Sequence, residues 1–186
     1  AGIDVFDLEI DENDPERLIQ TIRSLEPTFG GINLEDIKAP ECFIIEKKLK
    51  ELMKIPVMHD DQHGTAIISG AALLNALEMI QKKIENIKLV VSGAGAAAIS
   101  CARFYIRLGV KFENVVMCDI DGVIRKDRDG LTDIHGMFAT DRDIYTITEA
   151  MEGADVFLGL SAGNIISQDQ IKSMAANPIV FALANP

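Results

Sequence analysis

Ile87-Lys88-Leu89-Val90-Val91-Ser92-Gly93-Ala94-Gly95-Ala96-Ala97-Ala98 decides how the larger part of this chain folds. It opens as a short apolar run rich in Val, the composition of a strand buried on both faces. It breaks at Gly93 to Ala98, and a helical segment from Ala97 to Leu108 follows, ended by Gly109. Asn114-Val115-Val116-Met117-Cys118-Asp119 is the next strand. Strand, glycine turn, helix and strand form a βαβ unit, whose parallel sheet must be covered on both faces.

The turn has a specific chemistry. Gly93 permits a tight bend, Gly95 lets backbone approach a pyrophosphate, and Ala98 allows close helix–strand packing. The pyrophosphate would sit on the helix N-terminus, where open N–H groups and the dipole favour negative charge. Gly93, Ala94, Gly95, Ala96 and Ala97 are therefore candidate cofactor-binding residues, and Asp119 is placed to accept a ribose hydroxyl. The alternative is a plain tight turn, because Gly-x-Gly alone is weak. The acid at Asp119 favours NAD over NADP, since it would repel a 2′-phosphate, but Arg125, Lys126 and Arg128 nearby blunt that preference. Further on, 121–133 reads as a loop, 146–151 and 167–176 as helices, and 154–159 and 178–183 as strands.

Upstream, Ile3 to Ile10 alternates and reads as a strand. Asp14-Pro15-Glu16 opens a helix that Pro27 ends. Residues 29–34 read as a strand delivering Glu35 and Asp36, and 39–54 as an amphipathic helix. Residues 56–59 form a short strand delivering Asp60 and Asp61, and a buried helix runs from Thr65 to Lys82. Both acidic pairs thus end a strand, where sites collect in open α/β sheets. Three explanations stand: surface acidity, helix capping by Asp61, or a divalent metal site. Hard oxygen donors without clustered Cys or His point to Mg²⁺ or Mn²⁺ rather than Zn²⁺. His59 and His63 flank a non-helical start, and a structural role suits His63 better than metal ligation. The fold class is α/β: a Rossmann-like doubly wound parallel sheet over 63–186, preceded over 1–62 by the end of an α/β substrate domain.

Composition narrows the class. The chain has 186 residues, 48% of them hydrophobic, and a net charge of −11. That charge argues against nucleic acid or an anionic membrane as partner. Cys42, Cys101 and Cys118 lack metal-type spacing and read as buried thiols in a reducing, cytoplasmic compartment. No apolar run is long enough to span a membrane. The chain starts within an apparent strand and stops just after another, so it is expected to be a piece of a longer enzyme.

Gly30-Gly31-Ile32-Asn33-Leu34-Glu35-Asp36-Ile37-Lys38-Ala39-Pro40, His59-Asp60-Asp61-Gln62-His63-Gly64-Thr65, the Gly93 turn and Phe181-Ala182-Leu183-Ala184-Asn185-Pro186 together resemble the malic enzymes, closest to their compact prokaryotic-type branch. The resemblance covers essentially the whole chain. It implies oxidative decarboxylation of malate to pyruvate and CO₂ with NAD(P)⁺ and Mg²⁺ or Mn²⁺. By motif match it makes Glu35, Asp36 and Asp61 metal ligands and Asp60 an active-site carboxylate beside the metal. It makes Thr65 and Asn185 cofactor neighbours, and it implies a homodimer or larger assembly. The family's general acid Tyr and general base Lys have no match here. The piece alone is therefore expected to bind dinucleotide without turning over malate. A non-catalytic dinucleotide-binding module with acidic caps is the competing reading.

Overall fold

The structure, a computed structural model, describes residues 2–38 and 40–184. The chain divides into two compact units, Ala1–Asp60 and Asp61–Pro186.

In the first unit, α1 (Pro15–Ser24) begins where the Asp14 carboxylate accepts a hydrogen bond from the Arg17 N–H at 2.9 Å, with Pro15 in the first turn. Then come β1 (Ile32–Leu34), α2 (Glu41–Leu52) and β2 (Val57–His59). The two strands pair in parallel, Ile32 opposite Val57 and Leu34 opposite His59. Ile19 and Ile22 of α1 pack with Leu34, Ile45, Leu49 and Val57 in one core. The expected strand over Ile3–Ile10 is not formed, and Ile3, Val5, Phe6 and Leu8 are exposed. Alternation alone does not make a strand; a neighbouring backbone must take the ladder bonds. Here the segment makes side-chain contacts instead, the Phe6 ring lying 6.0 Å from that of Phe29 and Ile10 packing against the core.

The second unit continues α3 (Asp60–Ile80), which starts at Asp60 rather than at Thr65. Asp60 to Gly64 are helical, so His59 and His63 do not flank a non-helical start, and Asp61 lies within the first turn instead of capping it. Carboxylates are favoured there by the helix dipole, which helps offset the roughly 1 kcal/mol cost of Gly64 inside a helix. Next come β3 (Leu89–Ser92), α4 (Ala96–Leu108), β4 (Val115–Asp119) and β5 (Gly122–Val123). They are followed by α5 (Asp133–Gly136), α6 (Ile147–Met151), β6 (Val156–Gly159), α7 (Gln168–Lys172) and β7 (Ile179–Ala182). The sheet runs β5-β4-β3-β6-β7 and is parallel except for β5, an antiparallel return inside the segment expected to be all loop.

Both faces of the sheet are covered. Leu89, Val91, Met117 and Leu158 point into a core shared with α3 and α4. Val90, Val116, Cys118 and Phe157 point the other way, against Met151 and Met174. Successive strand residues therefore enter opposite cores, and the strands carry near-continuous apolar runs. On the first face, a Cβ on Gly70 of α3 would lie 2.6 Å from the Phe104 ring of α4, so the missing side chain sets how closely the two helices approach.

Candidate functional site

After β3 the chain crosses through α4 to β4 on one side, then returns past β3 to β6 on the other. The C-terminal end of β3 is thus the switch point of the sheet, where open α/β folds bind ligands. Gly93 occupies it. Its φ is 119°, a region closed to most side chains, and a Cβ there would come 2.9 Å from the Leu160 carbonyl oxygen. Its N–H donates to the Cys118 carbonyl at 2.8 Å, tying the turn to β4.

Helix α4 begins at Ala96, so Ala96 and Ala97 form its first turn rather than the bend before it. Gly95 is the N-cap and supplies no side-chain bond to that turn. Gly95 is exposed, and no atom lies within 4 Å of where its Cβ would be. A helix N-terminus without a side-chain cap, with open space beside Gly95, fits an anion such as a pyrophosphate.

Asp119 ends β4 beside this turn. Arg128 Nη1 donates to its Oδ1 at 3.0 Å and Nη2 to its Oδ2 at 2.9 Å. The Asp121 N–H adds a bond of 2.9 Å to Oδ1. Burial works against the charge, but the hydrogen bonds from Arg128 and Asp121 and the nearby positive charge outweigh it and hold the carboxyl below its usual range. His135, delivered by α5, reaches the Ala94 carbonyl oxygen at 3.1 Å through Nε2. A carbonyl only accepts, so Nε2 carries the proton. On the β6 side, the Ser92 and Ser161 hydroxyls lie 2.8 Å apart. Neither His135 nor this serine pair is marked by a motif. Only the rule that sites gather at strand ends would have drawn attention to Ser161.

The acidic pairs divide between the units. Glu35 and Asp36 follow β1 and Asp60 follows β2, so the parallel register of Leu34 with His59 brings both strand ends to the same side of their sheet. Glu35 accepts a hydrogen bond from Asn33 Nδ2 at 2.8 Å. Asp36 is exposed and has a φ of 54°, a strained conformation that Asp tolerates better than most residues. Asp61 and Thr65 lie on α3, and the Thr65 carbonyl accepts the Ser69 hydroxyl at 2.6 Å. Asn185 lies outside the described residues. Among the described residues, no three His, Cys, Asp or Glu side chains gather into a metal cage. The carboxylates suit a hard cation by donor type.

Parallel strands, a glycine at the switch point and an uncapped helix facing it define a Rossmann-type dinucleotide-binding unit. Residues 62–186 match the family model described as "Malic enzyme, NAD binding domain", and residues 7–50 match "Malic enzyme, N-terminal domain". The chain belongs to the malic enzyme family. It is 56% identical to an NADP-dependent malic enzyme of Haemophilus influenzae, covering 100% of this chain and 25% of that protein. It is 52% identical to an NAD-dependent malic enzyme of Rhizobium meliloti, covering 100% of this chain and 24% of the relative. The crystal structure of an NAD-dependent malic enzyme from Thermotoga maritima superposes with a TM-score of 0.91 at 45% identity, over 99% of this chain and 50% of that one. The chain thus spans about a quarter of the two curated relatives named. Among the described residues, no helix is long and apolar enough to cross a membrane.

Proposed function

We propose that this chain is part of an enzyme that oxidatively decarboxylates malate to pyruvate and CO₂ while reducing a nicotinamide dinucleotide. The observation that carries the reading is the open N-terminus of α4 beside Gly93 at the switch point, in a chain of this family. Gly93, Ala94, Gly95, Ala96 and Ala97 hold the pyrophosphate, and Asp119 meets the adenosine ribose. By the family resemblance Thr65 would be a cofactor neighbour, as would Asn185, which is outside the described residues. Glu35, Asp36 and Asp61 would hold Mg²⁺ or Mn²⁺, with Asp60 beside it. Such a cation, when bound, supplies Lewis-acid polarisation of the substrate oxygens. The carboxylates would supply the hard oxygen donors that hold it.

NAD is favoured over NADP because Asp119 presents a carboxylate where a 2′-phosphate would lie. The ion pair with Arg128 reduces that discrimination without abolishing it. Neither tyrosine of the chain suits the role of general acid. Tyr105 is fully buried, and Arg125 stacks 4.2 Å from the centre of the Tyr145 ring. The family's assembly as a homodimer or larger belongs to the same proposal, and light scattering checks it.

Mn²⁺ and NADH titrations test the reading. Asp61→Ala should abolish Mn²⁺ binding and leave NADH binding in place. Unchanged Mn²⁺ affinity in both Glu35→Ala and Asp61→Ala would leave only a non-catalytic dinucleotide module. Malate-dependent NADH production by residues 1–186 alone would overturn the expectation that this piece binds dinucleotide without turning over malate.

A further inference from the structure

Ser92 and Ser161 lie far apart in sequence, yet their hydroxyls meet at 2.8 Å. Ser92 is the buried last residue of β3, whereas Ser161 is exposed just beyond β6. The backbones beneath them are fastened too. The Leu160 N–H donates to the Ser92 carbonyl at 2.8 Å, and the Leu160 carbonyl fills the space a side chain on Gly93 would need. The loop after β6 is therefore held against the glycine turn, across the switch point from Asp119.

A serine hydroxyl offers one donor and two acceptor sites. The contact with Ser92 uses one of those at the exposed Ser161 and leaves the others for a further partner. An exposed serine needs no such anchor, because water satisfies it equally well. What the anchor does is fix the side-chain rotamer, so that a ligand meets a hydroxyl already ordered.

We propose that Ser161 binds the nicotinamide half of the dinucleotide and that Ser92 positions it. The assignment rests on the dinucleotide-binding reading given above. With the pyrophosphate on α4 and the adenosine ribose at Asp119, the dinucleotide crosses the switch point and its other half extends toward β6. The polar groups of that half, ribose hydroxyls and a carboxamide, both donate and accept. Either is a partner for a fixed serine hydroxyl.

Isothermal titration calorimetry of the whole chain with NADH and with ADP, which lacks the nicotinamide half, tests this. Ser161→Ala should weaken NADH binding about fivefold and leave ADP binding unchanged. Ser161→Thr, which keeps the hydroxyl, should restore most of the loss. Ser92→Ala should weaken NADH binding by about twofold, since the hydroxyl remains but is no longer held. Unchanged NADH affinity in Ser161→Ala, or an equal loss for both ligands, overturns the assignment while leaving the dinucleotide reading intact. An unaltered chain that binds neither ligand overturns the dinucleotide reading and this assignment together.

Discussion

Arg128 grips Asp119 with both terminal nitrogens, at 3.0 and 2.9 Å, so the carboxylate that ends β4 is already paired with a guanidinium. On the proposed role of Asp119 at the adenosine ribose, the pair would set cofactor choice through a balance of charge. Arg128→Ala leaves Asp119 to repel a 2′-phosphate and should weaken NADPH binding about tenfold more than NADH binding, the scale of a lost charge-assisted hydrogen bond. Asp119→Asn should shift the ratio the other way. The ratio of dissociation constants for the two reduced cofactors measures both.

The same pair predicts a pH dependence. The Asp119 carboxyl is held below its usual value in the folded chain. Its contribution to stability is therefore full above the unfolded pKa of about 3.9 and is lost as pH falls through the lower folded value. Urea midpoints for the unaltered chain and for Asp119→Asn should keep a constant gap from neutral pH down to about pH 5, and the gap should close below about pH 4. A gap that widened with acid would contradict the ion pair.

Gly93→Ala forces a side chain into a φ of 119° and against the Leu160 carbonyl. A loss of about 1–3 kcal/mol in urea unfolding is expected from backbone strain of this kind. Pushing β6's loop away should also widen the crevice, so NADH affinity should fall even where the variant is fully folded.

Gly70→Ala tests the contact between α3 and α4. The added Cβ would press on the Phe104 ring and should cost about 1–3 kcal/mol of stability by overpacking. Gly70→Ala combined with Phe104→Leu should be less destabilised than the sum of the single variants. A double-mutant cycle in urea reads the coupling. Simple additivity would show that the helices do not meet there.

The dinucleotide unit was legible because its signals are local. The apolar run at Leu89–Ser92, the glycines after it and the acid at Asp119 each name their own conformation. Gly64 reads as a turn in the sequence and so hides the start of α3 at Asp60. The adjacent carboxylates look like a surface pair until the helix dipole is counted in their favour. Ile3–Ile10 failed for the opposite reason: its pattern fits a strand, and no pattern within it reports whether a partner backbone is present. The serine pair was invisible, since residues on β3 and beyond β6 become neighbours only through the sheet order. In the acidic pairs, the sequence shows the donor type and the strand-end placement. The left-handed turn at Asp36 and the hydrogen bond from Asn33 to Glu35 emerge only from the fold.

Cys118 stands one residue before Asp119, within the core beneath the sheet. Burial, and then the neighbouring carboxylate charge, push its thiol up to about 12. At neutral pH it is an inert packing group, because only the thiolate attacks alkylating reagents. It becomes reactive only when β4 separates from its covering helices. The thiol is thus a built-in clock for the opening of the cofactor sheet: its rate of alkylation counts how often that strand is released, and a bound dinucleotide should slow the count.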